Sequence, residues 1–181
     1  MSPDDVVIRA PSPAEIDAGG LLTGRAWEAT YRGMIPDPVL DEWIAGTTDG
    51  WRSIVELNGG TAERAWVAER DGSLLGFATT SPGKDDWLPS PRGSGELRNL
   101  YLDPDVVGTG VGRLLYEHAI DDLRERGFDP LVVWAFRDNV RARRFYERMG
   151  LSLDAEHVWV LGDVACPIVR FSAELGQRRV G

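Results

Sequence analysis

The chain holds one cysteine and two histidines among its 181 residues, and Lys84 is its single lysine. A lone Cys166 permits no internal disulfide and no cysteine-based metal cluster. His118 and His157 lie far apart, without the H-E-x-x-H spacing of a zinc helix. No metal site is therefore expected. Basic residues are outnumbered: 20 Lys and Arg against 29 Asp and Glu leave a net charge of -9. That balance excludes a uniformly basic nucleic-acid footprint. No apolar run approaches the ~18 residues that a membrane-spanning helix needs. The first five residues carry acids where a signal peptide needs cations. The expectation is a cytoplasmic protein with neither nucleic acid nor membrane among its partners.

What remains is ordinary globular composition, with 43% hydrophobic and 27% charged residues. At roughly 150 residues per domain, residues 1–181 read as one domain, with 1–5 and 177–181 frayed.

Val6–Arg9 is a β-branched run and reads as a first strand. Ser12-Pro13 marks a helix start. The helical region that follows toward Tyr31 is interrupted by Gly19-Gly20 and Gly24. Further helical pieces hold Val39–Ile44 and Trp51–Leu57, the latter ending at Gly59-Gly60. Ala65–Ala68 and Leu74–Ala78 flank Asp71-Gly72, the pair that favours a type I′ hairpin. Ser81–Gly95 reads as a loop and Leu97–Leu102 as a strand. Val111, Leu114, Leu115, His118, Ala119 and Leu123 give a helical stripe, which places His118 in the core. Leu131–Phe136 is apolar throughout, as in a strand buried on both faces. Val140–Met149 is a short helix capped by Gly150, and two strands around Gly162-Asp163 close the chain. Strand 97–102, helix 110–126 and strand 130–136 form a βαβ unit with parallel strands. The whole is an α/β (α+β) fold: a mixed, mostly antiparallel sheet of six to seven strands, with helices on both faces.

Between that strand and helix lies Val107-Gly108-Thr109-Gly110-Val111-Gly112-Arg113. Glycines let backbone N–H groups approach a ligand, and a helix N-terminus favours phosphate. Arg113 breaks both the dinucleotide G-x-G-x-x-G and the P-loop pattern. A tight turn with glycines for packing fits the same residues.

Downstream, Asn139, Ala142, Phe145, Tyr146 and Gly150 stand at N-x-x-A-x-x-F-Y-x-x-x-G spacing. Together with Gly110 and Gly112, and with Glu96–Pro104 ahead of the loop, this resembles the GNAT superfamily of N-acetyltransferases. Trp27–Asp37 resembles a W-x-x-x-Y-x-G-[ILM]-[ILV]-P segment of a bacterial branch. The family places Gln or Arg at the first loop position, where this chain has Val107.

The resemblance implies acetyl-CoA as acyl donor, with pantetheine against the main chain of Leu100, Tyr101 and Leu102. It places the pyrophosphate on Val107, Gly108, Thr109, Gly110, Val111, Gly112 and Arg113, with Asn139 and Arg144 as further contacts. Tyr146 becomes the acid at the departing sulfur and Glu96 the base. Trp27 and Tyr31, along with Trp43, Asp85, Asp86 and Trp87, fall in acceptor-shaping segments. From the residues alone, Tyr146 equally fits a core aromatic, Glu96 a strand-start glutamate and Asn139 a helix N-cap. The expected activity is direct acetyl transfer to a primary amine, on a small molecule or a peptide, with a homodimer compatible. The alternative is an acyl-CoA-binding module that transfers nothing.

Overall fold

The computed structural model describes residues 5–58, 60, 62–83 and 90–176. The chain runs through β1 (Val7–Arg9), a 3-10 turn at Pro13–Glu15, α1 (Ile16–Tyr31), α2 (Asp37–Ala45) and α3 (Thr47–Leu57). It continues with β2 (Arg64–Arg70), β3 (Ser73–Pro82), β4 (Gly95–Leu102) and a 3-10 turn at Pro104–Val106. After these come α4 (Val111–Glu125), β5 (Leu131–Phe136), α5 (Val140–Arg148), β6 (Ser152–Leu161) and β7 (Val164–Ala173). The sheet has seven strands in the order β1-β2-β3-β4-β5-β7-β6. The β4–β5 pair is parallel, as the βαβ reading requires, and its ladder consists of Gly95↔Leu131 and Glu96↔Val132. The pairings β1–β2, β2–β3, β5–β7 and β6–β7 are antiparallel.

Two compact units make up the chain. The first contains residues 5–80 and 99–119. Its core is Leu22, Trp51, Val67 and Phe77, flanked by Ile16, Ile54, Val55, Leu74 and Tyr101. Gly19, Gly20 and Gly24 do not interrupt α1, which is one continuous helix. They are buried where α1 packs against α3 and the end of α2. A Cβ on Gly19 would collide with the Trp51 ring, and one on Gly20 would lie 2.9 Å from the Thr48 Cα. The Trp51 indole donates to Thr23 Oγ1 at 2.7 Å, and Thr23 donates on to the Gly19 carbonyl at 2.8 Å. At the hairpin, Asp71 (φ 51°) and Gly72 (φ 78°) both adopt the left-handed conformation that a type I′ turn demands. β3 runs on through Ser81 and Pro82, so the predicted loop starts later than the composition suggests.

The second unit contains 81–98 and 120–176. Its buried residues include Leu97, Leu123, Leu131, Val133, Val169 and Phe171. Gly95 lets β4 approach the end of α4, because a Cβ there would come within 2.8 Å of Leu123 and 2.9 Å of Phe128. Among the described residues no helix is long and apolar enough to cross a membrane.

Candidate active site

The turn into α4 is built to leave main-chain donors unused. Gly108 (φ 86°) and Gly110 (φ 96°) are left-handed, and nothing lies within 4 Å of where their Cβ atoms would be. Glycine is needed here for conformation, not for space. Thr109 closes the turn: its N–H and its hydroxyl donate to the Val106 carbonyl at 3.3 and 2.6 Å. Arg113 and Leu114 both donate to the Gly110 carbonyl, at 3.0 and 3.2 Å. The N–H groups of Gly108, Gly110, Val111 and Gly112 have no acceptor among the described residues. Four unsatisfied donors at a helix N-terminus suit a phosphate-bearing group. Val107 is exposed and adds no polar side chain. Arg113 is exposed and pairs with Glu117 at 2.7 Å, one turn along α4. Gly112 serves packing, since a Cβ there would touch Leu102 Cδ1 at 3.1 Å.

In the same unit, Trp27, Tyr31 and Tyr101 come together, with Trp43 beside them. Tyr101 is the hub. Its ring meets Trp27 edge-on at 6.0 Å, Tyr31 at 6.3 Å and Phe77 at 5.6 Å, and Trp27 meets Trp43 at 5.7 Å. The Tyr31 and Tyr101 hydroxyls are 2.9 Å apart. Burial pushes the Tyr101 phenol up, offset in part by the Tyr31 hydroxyl and the nearby Trp27 N–H. The Trp27 Nε1 is buried without an acceptor in hydrogen-bonding geometry. Beside this cluster, Arg32 is shared by Glu28 at 2.6 Å, Asp37 at 3.2 Å and Asp41 at 2.6 Å. Three carboxylates on one guanidinium leave the α1–α2 turn acidic. Sequence reasoning assigned Tyr101 only a main-chain role. Alternation along β4 was a usable signal, because it sets the Tyr101 side chain opposite to Leu100 and Leu102.

In the second unit, α5 carries Tyr146, and Asn139 caps it. The Asn139 Oδ1 accepts from the Ala142 N–H at 3.0 Å, so the N-cap role is real, and the side-chain amide nitrogen has no partner among the described residues. Tyr146 is buried, with its ring 5.5 Å from Phe145 and 5.8 Å from Phe171. Arg144 is exposed, with no carboxylate in ion-pair range among the described residues. Glu96 is half-buried near the start of β4, in register with Val132.

Other candidates fall away. His118 is exposed, edge-on to Trp66 at 4.5 Å, and is not the core histidine expected from the stripe. His157 is exposed as well. Cys166 is buried, which pushes its thiol up and disfavours the thiolate. No cluster of His, Cys, Asp and Glu able to hold a metal occurs among the described residues. Lys84, Asp85, Asp86, Trp87, Gly59 and the segments 1–4 and 177–181 lie outside the described residues.

The chain is 33% identical over 152 residues to a mycothiol acetyltransferase of Thermomonospora curvata, covering 83% of this chain and 45% of that protein. It is 40% identical over 93 residues to the mycothiol acetyltransferase of Beutenbergia cavernae, covering 51% of this chain and 29% of that protein. The chain thus spans less than half the length of either. Among solved structures, it is similar to the PaiA N-acetyltransferase of Thermoplasma acidophilum in complex with coenzyme A. The TM-score is 0.74 at 19% identity, over 94% of this chain and 98% of that one. Residues 26–151, which hold the aromatic cluster, the glycine turn and α5, match the family model described as Acetyltransferase (GNAT) family, and the chain belongs to that family.

Proposed function

We propose that the protein is an acetyl-CoA-dependent N-acetyltransferase that acts by direct transfer in a ternary complex. The observation that carries this reading is the set of four unpaired N–H groups at Gly108, Gly110, Val111 and Gly112, in a chain of the GNAT family. Those donors hold the diphosphate of the donor molecule, flanked by Val107, Thr109 and Arg113. The main chain of Leu100, Tyr101 and Leu102 takes the pantetheine amides. Asn139, with its side-chain amide nitrogen unpaired, and the exposed Arg144 supply further contacts. Acetyl-CoA brings a thioester whose C–S bond breaks as the amine nitrogen bonds to the carbonyl carbon.

The chain's own groups then have three tasks. Main-chain donors near Leu102 stabilise the charge that develops on the carbonyl oxygen. Glu96 removes the amine proton, directly or through a water. Tyr146 returns a proton to the departing sulfur, since a phenol with a free pKa near ~10 can protonate a thiolate.

Trp27 and Tyr31 face the acceptor, with Trp43 and the Tyr101 ring completing the wall. Aromatic faces beside an acidic turn favour a cationic amine. The acceptor is a primary amine on a small molecule or a peptide. Because the matched relatives are named mycothiol acetyltransferases, mycothiol-type compounds belong in the test panel.

Calorimetric titration with acetyl-CoA, using ATP and NAD as controls, tests the donor. Thiol release over an amine panel then separates an enzyme from a module that only binds. Tyr146→Phe is expected to lower kcat by about a hundredfold at unchanged acetyl-CoA affinity. An unchanged kcat at every pH removes Tyr146 from the mechanism. Sedimentation velocity decides whether the working unit is a homodimer.

A further inference from the structure

We infer that Arg25 is a positioning residue for the donor-binding turn, tying helix α1 to the segment from which the free N–H groups project. This rests on the acyl-CoA reading of that turn. Arg25 Nη2 donates to Asp105 Oδ2 at 2.8 Å and lies 3.3 Å from Asp103 Oδ1. Both carboxylates belong to the 3-10 turn that feeds Val107 and Gly108. Asp103 Oδ1 also accepts from the Asp105 N–H at 2.9 Å, which caps that turn. The main-chain N–H of Asp103 donates to the Leu75 carbonyl at 2.9 Å and fixes the turn's start to β3. At the far end, Thr109 holds the Val106 carbonyl with both its N–H and its hydroxyl. Segment 103–109 is thus anchored to β3 at its start and closed on itself at its end. Arg25 links it to α1 through the ion pairs with Asp103 and Asp105.

The charges argue for geometry over field. Two aspartates against one arginine leave this clasp net negative, and it stands beside a cradle meant for a diphosphate. The direct field of Asp105 therefore opposes the ligand. Asp105 favours binding only by holding the turn in place through Arg25. Trp27 and Tyr31 ride on the same helix, so the clasp also joins the aromatic cluster to the donor turn through contiguous contacts.

The test is acetyl-CoA calorimetry on the full chain at low ionic strength, with thermal unfolding of every variant alongside. Arg25 and Asp105 side chains are 54% and 81% exposed, so their variants are expected to fold. Arg25→Gln and Asp105→Ala should each weaken binding about two- to fivefold, the range that exposed ion pairs support. The double variant should bind no more weakly than either single one. Arg25→Lys should recover most of the loss, and about 0.5 M salt should erase the differences. The sign at Asp105 is decisive. If Asp105→Ala tightens binding while Arg25→Gln weakens it, both act through the field and the positioning role is overturned. Equal affinities across the set overturn it too. Wild-type protein that binds no acetyl-CoA overturns the acyl-CoA reading itself, and this inference with it.

Discussion

Two regions of the first unit use glycine for opposite reasons. In α1, Gly19 and Gly20 have helical backbone and no room: the Trp51 ring and the Thr48 backbone occupy the space a side chain would take. In the turn before α4, Gly108 and Gly110 have open space and a left-handed backbone. The first pair holds a core together. The second leaves N–H groups unpaired, and these are the groups we propose hold the donor. A side chain in α1 should therefore cost stability, whereas one in the turn should cost binding.

The largest effect is expected at Gly19→Ala. Overpacking against a fully buried indole should cost roughly 2–3 kcal/mol, even after alanine's better helix propensity is counted. Urea unfolding reads it, and the folded fraction should keep its acetyl-CoA affinity. A neutral result would mean that α1 and α3 can slide apart, and the contrast would fail. Gly110→Ala should come next. Its left-handed backbone carries a strain of about 1–2 kcal/mol in alanine, which the turn can relieve by turning its N–H groups away. We expect acetyl-CoA binding at least tenfold weaker, with a smaller loss of stability than at Gly19. Gly112→Ala sharpens the boundary between the two kinds. The Leu102 tip can yield at 3.1 Å and the backbone is helical, so stability should move by about 0.5 kcal/mol or less.

The smallest effect is electrostatic and separates both glycine effects from background charge. Arg9, with help from Ser12, holds Glu15 below the usual carboxylate range. Burial alone would raise Asp154, but Arg170 and Ser172 outweigh it and hold it low. Carboxylates depressed on folding add stability above the unfolded pKa of about 4 and lose it as pH falls through the folded value. Melting temperature should be flat above about pH 5 and fall below about pH 4. Glu15→Gln should shallow that fall.

The same contrast shows what was legible in the sequence. Local chemistry was readable. Asp71-Gly72 dictates its hairpin, Leu131–Phe136 its buried strand, and the glycine run its place between strand and helix. Contacts across long stretches of chain were not. Gly19 and Gly20 look like helix breakers until Trp51 and Thr48, some 30 residues on, are packed over them. The α4 stripe misplaced His118 because the buried arc is centred on Gly112, Ala119 and Leu123, with Val111, Leu115, Tyr116 and Ile120 to either side, which leaves Leu114 and His118 just outside it. The roles proposed for Glu96, Asn139 and Tyr146 rest on a family resemblance, through strand position for Glu96 and motif spacing for the other two. Nothing in the sequence linked Arg25 to Asp103 and Asp105, since an ion pair 80 residues apart leaves no periodic trace.

The most direct measurement is acetyl-CoA calorimetry on the wild-type protein and Gly110→Ala, each with its melting curve. If the unpaired N–H groups of 108–112 hold the donor, wild type binds acetyl-CoA in preference to ATP and NAD, and Gly110→Ala stays folded and binds at least tenfold more weakly. Equal affinity in a folded Gly110→Ala variant, or no binding by wild type, would contradict the account.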